Sequence, residues 1–227
     1  MWLAMGKQRG RSGSWWGQAG FSLAEILMAT AISSVVLLAL YLLYDVNQVT
    51  FLKGEQQADL QQNARIAVDR IVRELRLAGF DPQTPTIIPA PCTTAIQSAT
   101  ATSIRFIADI DSDGTTERVE YSYDAACMPS CAVNPPKIRR QEWPSLVGPP
   151  CTTNWSVGGG VQPFAERVIT LNFQYYDGAG ALLPTPVANP GDIRRISVTI
   201  TTQDAQTGSK AQPFTLRAEV RPRNLGL

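Results

Sequence analysis

The chain has 227 residues, of which 44% are hydrophobic, which is enough for one domain or two. Its 20 lysines and arginines are balanced by 19 aspartates and glutamates, so a wide basic surface for nucleic acid is excluded. The sequence contains no histidine, which excludes the commonest general base, the Ser–His and Cys–His nucleophile pairs and most zinc ligand sets. We therefore expect neither an enzyme nor a nucleic-acid partner.

A long apolar run follows close to the N-terminus. Residues 26–44 read ILMATAISSVVLLALYLLY, without charge, proline or glycine. At ~1.5 Å rise per residue a helix of this length spans roughly 29 Å, close to the ~30 Å hydrocarbon core of a bilayer. A buried helix of a soluble protein would normally show a polar stripe, whereas only Thr30, Ser33 and Ser34 interrupt this run. The run predicts a membrane-spanning helix.

A short basic leader precedes the run. Lys7, Arg9 and Arg11 are positive, and residues 1–24 contain no acid. The positive-inside rule then places the N-terminus in the cytoplasm and exports everything after the run. An ordinary secretory signal peptide would have an apolar region of ~7–15 residues and a small-x-small cleavage site, and this sequence has neither. An uncleaved signal anchor would also fit the leader and the run.

The leader and the run are joined by the sequence GFSLAE, residues 20–25. This order of basic leader, GFSLAE and uninterrupted apolar helix resembles the class III signal of type IV prepilins and pseudopilins. The resemblance implies that a prepilin peptidase cuts between Gly20 and Phe21, removing the leader 1–20, and that the new amine of Phe21 is methylated. It also makes Glu25 the acid that this family uses in assembly.

Glu25 is unfavourable in a membrane but can form an ion pair when subunits assemble. A carboxylate in a membrane costs about 2.5–3.5 kcal/mol at the centre of a helix, and less near the interface. When subunits bundle, Glu25 of one chain can neutralise the amine of Phe21 of its neighbour in a medium of low dielectric constant, which would set the axial register. Cleavage also removes the three cations of the leader, so the formal charge of +1 becomes −2.

Helical periodicity continues through residues 45–79, although the composition turns polar. No proline occurs from residue 21 to residue 80, and Gly54 is the expected soft point. Gly79 and Pro82 form a helix stop, because glycine is favoured just after a helix and proline cannot continue one. An amphipathic helix with one apolar stripe is predicted. The stripe consists of Val46, Val49, Leu52, Leu60, Ala64, Ala67, Ile71, Leu75 and Ala78.

The remainder, 80–227, changes to a period of two, which indicates antiparallel strands with one face buried, here against the helix stripe. Pro- and Gly-rich loops separate the strands. The strands are expected at 104–108, 119–123, 137–143, 169–175, 196–200 and 216–220, and the loops at 82–91, 129–136, 144–163 and 183–191. The predicted fold class is α+β and pilin-like, with a long N-terminal helix packed on an antiparallel β-sheet head.

Within the pilin-like proteins, the sequence is most similar to PilW-type minor pilins, with the J-type pseudopilins of type II secretion as close relatives. The similarity rests on RIVRELRLAGFDP, on an Asp-rich hairpin, on YYDGAG and on the terminal EVRPRNL. It implies a minor pilin that joins or primes a type IV pilus. Its partners would be the prepilin peptidase, other pilins through the N-terminal helix, and the bacterial inner membrane before it reaches the cell surface.

Two alternatives remain open at this point. A minor pseudopilin of type II secretion would have the same spine and work in a different machine. A membrane-anchored calcium-binding or adhesive module could use the same export signal. An anchored hydrolase is disfavoured, because the sequence has no histidine and no nucleophile motif.

The segment DIDSDG, which begins at Asp109, matches the EF-hand expression when Glu120 is counted as position 12. Strands rather than helices flank it, and Asp-Gly is a strong turn signal, so a plain hairpin is favoured. In such a hairpin Glu120 would lie roughly 10 Å or more from the turn. If calcium binds, the candidate ligands are Asp109, Asp111, Asp113 and Glu117; no other cofactor is expected.

Four cysteines lie on the exported side of the predicted membrane helix. An even number in an oxidising compartment favours two disulfides, for which three pairings exist. We predict Cys127–Cys131 and Cys92–Cys151, and leave the other pairings open. A four-cysteine zinc site would lack any C-x2-C pair, and is disfavoured.

Overall fold

The structure is a computed structural model that describes residues 20–81, 94–126, 134–143, 160–203 and 212–225. The chain divides into two compact units, Met1–Leu52 and Lys53–Leu227. Helix α1 (Leu23–Leu77) contributes its first part to one unit and the remainder to the other. It contains no proline and is not interrupted at Gly54, which we had expected to be its soft point.

Two antiparallel sheets make up the rest of the second unit in the described part of the chain. The first has the strand order β1-β2-β3-β4-β5, and the second has the order β7-β6-β8-β9. The strands are β1 (Ile96–Ala99), β2 (Ser103–Ala108), β3 (Glu117–Asp124), β4 (Lys137–Trp143), β5 (Gln162–Glu166), β6 (Val168–Tyr176), β7 (Leu182–Leu183), β8 (Arg195–Thr202) and β9 (Phe214–Val220).

The registers explain which side chains share a face. In the first sheet Ile104 of β2 lies opposite Tyr121 of β3, and both are fully buried. In the second sheet Phe173 of β6 lies opposite Val198 of β8, and both are buried too. The alternation marks the buried face over much of β3 and β6, whereas Ile107 of β2 and Ser197 of β8 are buried although they alternate with core residues.

The core of the second unit lies between these sheets and one side of α1. Ala67, Val68, Ile71 and Leu75 of the helix belong to a single apolar cluster with side chains from both sheets. The predicted stripe is confirmed from Leu60 onward. Its first three positions are not buried in the chain: they are Val46, Val49 and Leu52, which are 65%, 44% and 55% exposed.

The predicted α+β, pilin-like architecture is therefore confirmed, and so are the six predicted strands. Three strands were missed. β1 and β7 have only four and two residues, too few to show a period. β5 lies partly inside the expected loop 144–163 and contains Pro163, which is tolerated because β5 is an edge strand.

At the end of α1, the backbone of Gly79 packs closely against other segments of the second unit. Gly79 has φ +80°, and its N–H donates to the carbonyl of Ile107 at 2.8 Å. A Cβ at Gly79 would lie 2.9 Å from Cβ of Ala95 and 3.1 Å from the carbonyl oxygen of Asn224. Glycine is thus required here both by conformation and by space, as the predicted helix stop implies.

Candidate functional site

The first candidate site is the start of α1. The helix begins at Leu23, and the first helical hydrogen bond runs from the N–H of Ile26 to the carbonyl of Ser22 at 3.2 Å. Gly20 and Phe21 therefore precede the helix, and the side chain of Phe21 is 85% exposed. The peptide bond predicted to be cut lies in non-helical backbone, where a peptidase can reach it.

Ser22 and Glu25 form a reciprocal pair of hydrogen bonds. The N–H of Ser22 donates to Oε2 of Glu25 at 2.8 Å, and the N–H of Glu25 donates to Oγ of Ser22 at 3.2 Å. This arrangement is a capping box, which satisfies amides that have no partner inside the helix. We did not predict a role for Ser22, although the Ser-x-x-Glu spacing is the usual sequence signal of such a cap.

The apolar part of α1 is exposed in the structure. Every residue from 23 to 55 is exposed, including all the large apolar side chains of the predicted membrane run. Among the described residues, α1 is the one helix that is long and apolar enough to cross a membrane, judged by length and composition. Lipid or the helices of other chains are the two surroundings that would remove this surface from water.

Two of the three hydroxyl side chains that interrupt the run are hydrogen-bonded within the helix. The hydroxyl of Thr30 donates to the carbonyl of Leu27 at 3.0 Å, and that of Ser34 donates to the carbonyl of Ala31 at 2.8 Å. Because these donors are paired within the helix, they carry no unsatisfied hydrogen-bonding group into the apolar medium.

The second candidate site is the acidic turn between β2 and β3, which pair as the predicted hairpin. One carboxylate oxygen from each of Asp109, Asp111 and Glu117 lies within 4.8 Å of the other two. The fourth predicted ligand, Asp113, is not part of this group. Its carboxylate accepts hydrogen bonds from the N–H and the hydroxyl of Thr115, at 2.7 and 2.6 Å.

The turn uses its carboxylates to hold its own backbone. Asp109 accepts from the N–H of Ser112 at 2.6 Å and from the N–H of Gly114 at 3.2 Å. Glu117 accepts from the N–H of Ile110 at 3.0 Å. Asp109 and Glu117 are both buried, at 1% and 4% exposure, so these amide donors offset much of the cost of removing two carboxylates from water.

The acids of the turn differ in their electrostatics. Burial raises the pKa of Glu117, and the negative charges of Asp111 and Asp109 act in the same direction. Hydrogen bonds from the side chain and backbone of Thr115 lower the pKa of the exposed Asp113. A cation bound among the three grouped carboxylates would offset the repulsion that Asp111 and Asp109 exert on the charged form of Glu117.

Glu120 lies on β3 and does not belong to the acidic group at the turn. Its carboxylate forms an ion pair with Arg105 on β2 at 2.6 Å, and it sits opposite that residue in the strand register. It does not complete an EF-hand at the turn, as the hairpin geometry predicted. The four cysteines, and with them both predicted disulfides, lie outside the described residues.

Comparison with known protein families supports the first candidate site, at the start of α1. A family model for the prokaryotic N-terminal methylation motif matches residues 17–41, which contain the predicted cut, the capping box and most of the apolar run. A search of curated proteins found no match. The matched signal implies processing by a prepilin peptidase, and together with the apolar helix it supports anchoring in a membrane. The chain thus carries the N-terminal signal of the type IV prepilin and pseudopilin class.

Proposed function

We propose that the chain is a PilW-like minor pilin without enzymatic activity, which is processed between Gly20 and Phe21 and then joins or primes a type IV pilus. The observation that supports this most is the exposed apolar length of α1 directly after the methylation motif. Lipid covers that surface before assembly, and the helices of neighbouring pilins cover it in the filament. The absence of histidine from the sequence fits a protein whose work is assembly.

Glu25 is the residue that we assign to assembly. In the low-dielectric core of a helix bundle its carboxylate pairs with the Phe21 amine of a neighbouring chain, and each charge alone would be costly there. Glu25→Gln should keep the cap, since glutamine also serves at this position, while removing the charge. We expect Glu25→Gln and Glu25→Ala both to be cleaved and both to enter filaments poorly. Normal incorporation of either variant would refute the pairing.

The proposed topology places the basic leader in the cytoplasm and the β-rich head in the periplasm. Lys7, Arg9 and Arg11 support it, because positive residues flanking a membrane helix are retained on the cytoplasmic side. Protease added to spheroplasts should therefore remove the head and leave the leader of the uncleaved precursor intact. Protection of the head would show the opposite orientation.

A type II secretion pseudopilin of the J type is the nearest alternative, because the same signal and helix serve both machines. Deletion of the gene separates them. Loss of surface pili and twitching with secretion intact supports the pilus, and loss of secretion with intact pili supports the pseudopilus. Unchanged assembly with lost attachment to surfaces would favour an adhesive head.

A calcium-binding head is a second candidate function, favoured by the grouping of Asp109, Asp111 and Glu117 within 4.8 Å. Carboxylate oxygens are the ligands that calcium takes in proteins. Calorimetric titration of the purified chain in detergent with calcium tests it. Binding at millimolar or tighter affinity that Asp109→Asn abolishes and Glu120→Gln retains would support the site, and absence of binding in the wild type would remove it.

We also propose two disulfides in the head, Cys127–Cys131 and Cys92–Cys151. Their support is the even number of cysteines on the side of the chain that we place in an oxidising compartment. Mass mapping of peptides from the unreduced protein should recover these two cross-linked pairs. Recovery of another pairing, or of free thiols, would refute the assignment.

A further inference from the structure

The capping box gives the two oxygens of Glu25 different surroundings. Oε2 accepts the hydrogen bond from the N–H of Ser22 at 2.8 Å. Within the described part of the chain, Oε1 accepts no hydrogen bond. Ser22, which follows Phe21, therefore holds the carboxylate through Oε2. Among the described residues Oε1 has no hydrogen-bond donor.

The hydroxyl of Ser22 completes this restraint. It accepts the N–H of Glu25 at 3.2 Å, so the backbone at position 25 and its carboxylate are each tied to the same residue. A free glutamate side chain would lose rotamer freedom on forming an ion pair, and a side chain that is already held loses less. In an apolar bundle the N–H of Ser22 also needs an acceptor, and Oε2 supplies it within the chain.

We propose that Ser22 is a positioning residue for assembly: it holds the Glu25 carboxylate at the start of α1 with Oε1 directed to no partner among the described residues. That oxygen then accepts the Phe21 amine of a neighbouring subunit. This inference rests on the proposed role of Glu25. It adds that the pairing depends on a hydroxyl at position 22, and that Ser22 acts through Glu25 rather than on the neighbour directly.

The test uses Ser22→Thr and Ser22→Val in the full precursor, produced in its own assembly system. The two side chains are nearly equal in shape, and only threonine keeps the hydroxyl. Quantitative mass spectrometry gives the fraction of chain cleaved and the amount of cleaved chain that enters sheared filaments. We expect Thr within about twofold of wild type and Val reduced about three- to tenfold, the range expected for loss of a capping side chain, with equal cleavage.

Four results would overturn the inference. Equal incorporation of the Thr and Val variants would show that the hydroxyl is not used. Loss of cleavage in Val but not in Thr would assign the hydroxyl to the peptidase instead. If Glu25→Ala enters filaments normally, the proposed pairing itself fails. If Glu25→Ala is excluded while Ser22→Val is normal, only the role of Ser22 fails.

A double-mutant cycle distinguishes a positioning role of Ser22 from a role that only stabilises the start of the helix. If Ser22 acts through the Glu25 carboxylate, Ser22→Val should cause little further loss in a Glu25→Gln background. If it only stabilises the helix start, the same fold-loss should appear in both backgrounds. Isotope-dilution mass spectrometry follows incorporation far below the wild-type level, so the cycle can be read even where Glu25→Gln is poorly incorporated.

Discussion

Tyr121 of β3 donates a hydrogen bond of 2.6 Å from its hydroxyl to Oε2 of Glu74, which lies 47 residues earlier in α1. Nε of Arg140, on β4, reaches the same oxygen at 3.1 Å, and Nε of Arg70 reaches Oε1 at 2.9 Å. The side chains of Glu74 and Arg140 are only 5% and 11% exposed. One carboxylate thus joins the helix to two strands of the first sheet inside the core.

Removing that carboxylate should destabilise the second unit strongly. Burial alone would lower the pKa of Arg140, but the charge of Glu74 and the hydrogen bonds to Glu142 and Glu74 together outweigh it, so the pKa of Arg140 is raised and the guanidinium stays charged. Glu74→Ala leaves this cation without its buried partner, which typically costs about 3–5 kcal/mol. Denaturant unfolding of the full chain in detergent, followed by circular dichroism, measures the loss.

A double variant provides the control for this prediction. Glu74→Leu with Arg140→Met replaces the buried pair by apolar side chains, and such replacements are often neutral or stabilising. We expect it to recover part of the free energy of unfolding lost in Glu74→Ala, and more of it when Tyr121→Phe also removes the hydroxyl that has lost its acceptor. A Glu74→Ala variant within about 1 kcal/mol of wild type, the value of an exposed ion pair, would show that the network is not buried in solution.

Glu74 also shows what the sequence pattern could not reveal. It lies three residues after Ile71 and seven after Ala67, so it occupies the buried stripe. The stripe was identified from apolar residues, and a charged residue in it is explained only by partners from β3 and β4. Those partners are 47 and 66 residues away, and nothing local in the sequence pairs them with the helix.

The helix start is the opposite case, because its information is local. The proposed cut, the proposed methylated residue and the acid Glu25 are all implied by a short motif and its position before an apolar run. The capping box could also have been predicted, since Ser22 and Glu25 have the required spacing. The acidic turn lies between these cases: the sequence predicted the hairpin and named Asp109, Asp111 and Glu117 together, whereas Asp113, the fourth predicted ligand, is hydrogen-bonded to Thr115 instead.

Gly79→Ala should be destabilising, by about 2 kcal/mol or more, because a side chain is strained at positive φ and would also overlap Ala95. Gly180→Ala is the matched control. Gly180 has φ +85°, and nothing lies within 4 Å of its Cβ position. It shares the conformational strain without the overlap. The losses in free energy of unfolding of the two variants are compared, and their difference measures the overlap of the new Cβ at position 79 with Ala95. Equal losses in the two variants would contradict the predicted overlap.

Gly54→Ala should stabilise α1. Gly54 is in the interior of the helix, and apart from the adjacent backbone of the helix itself no described atom lies within 4 Å of the position of a Cβ there. Alanine restricts the unfolded chain and favours the helix by roughly 0.5–1 kcal/mol over glycine. Amide hydrogen exchange of residues near position 54 should slow. Faster exchange in the variant would show that the helix is bent or open at Gly54 in solution.

The stability of the acidic turn should depend on pH through Glu117. Its pKa is raised in the folded chain above the ordinary value of 4.5, chiefly by burial, so the folded state holds this proton more tightly than the unfolded state. The corresponding stabilisation is fully present below the unfolded pKa and is lost as the pH rises through the folded pKa. At neutral pH the folded chain therefore carries the whole cost of the buried charge.

Glu117→Gln removes that titration while leaving an oxygen that can accept the N–H of Ile110. We expect the variant to be more stable than wild type at neutral pH, by a margin that closes as the pH falls toward the ordinary value of 4.5. Asp113 titrates with the opposite sign, since its pKa is lowered, but it is present in both proteins and cancels in the difference. Unfolding curves in a chelator at several pH values supply the measurement. A margin that is independent of pH would mean that the pKa of Glu117 is not raised in the folded chain.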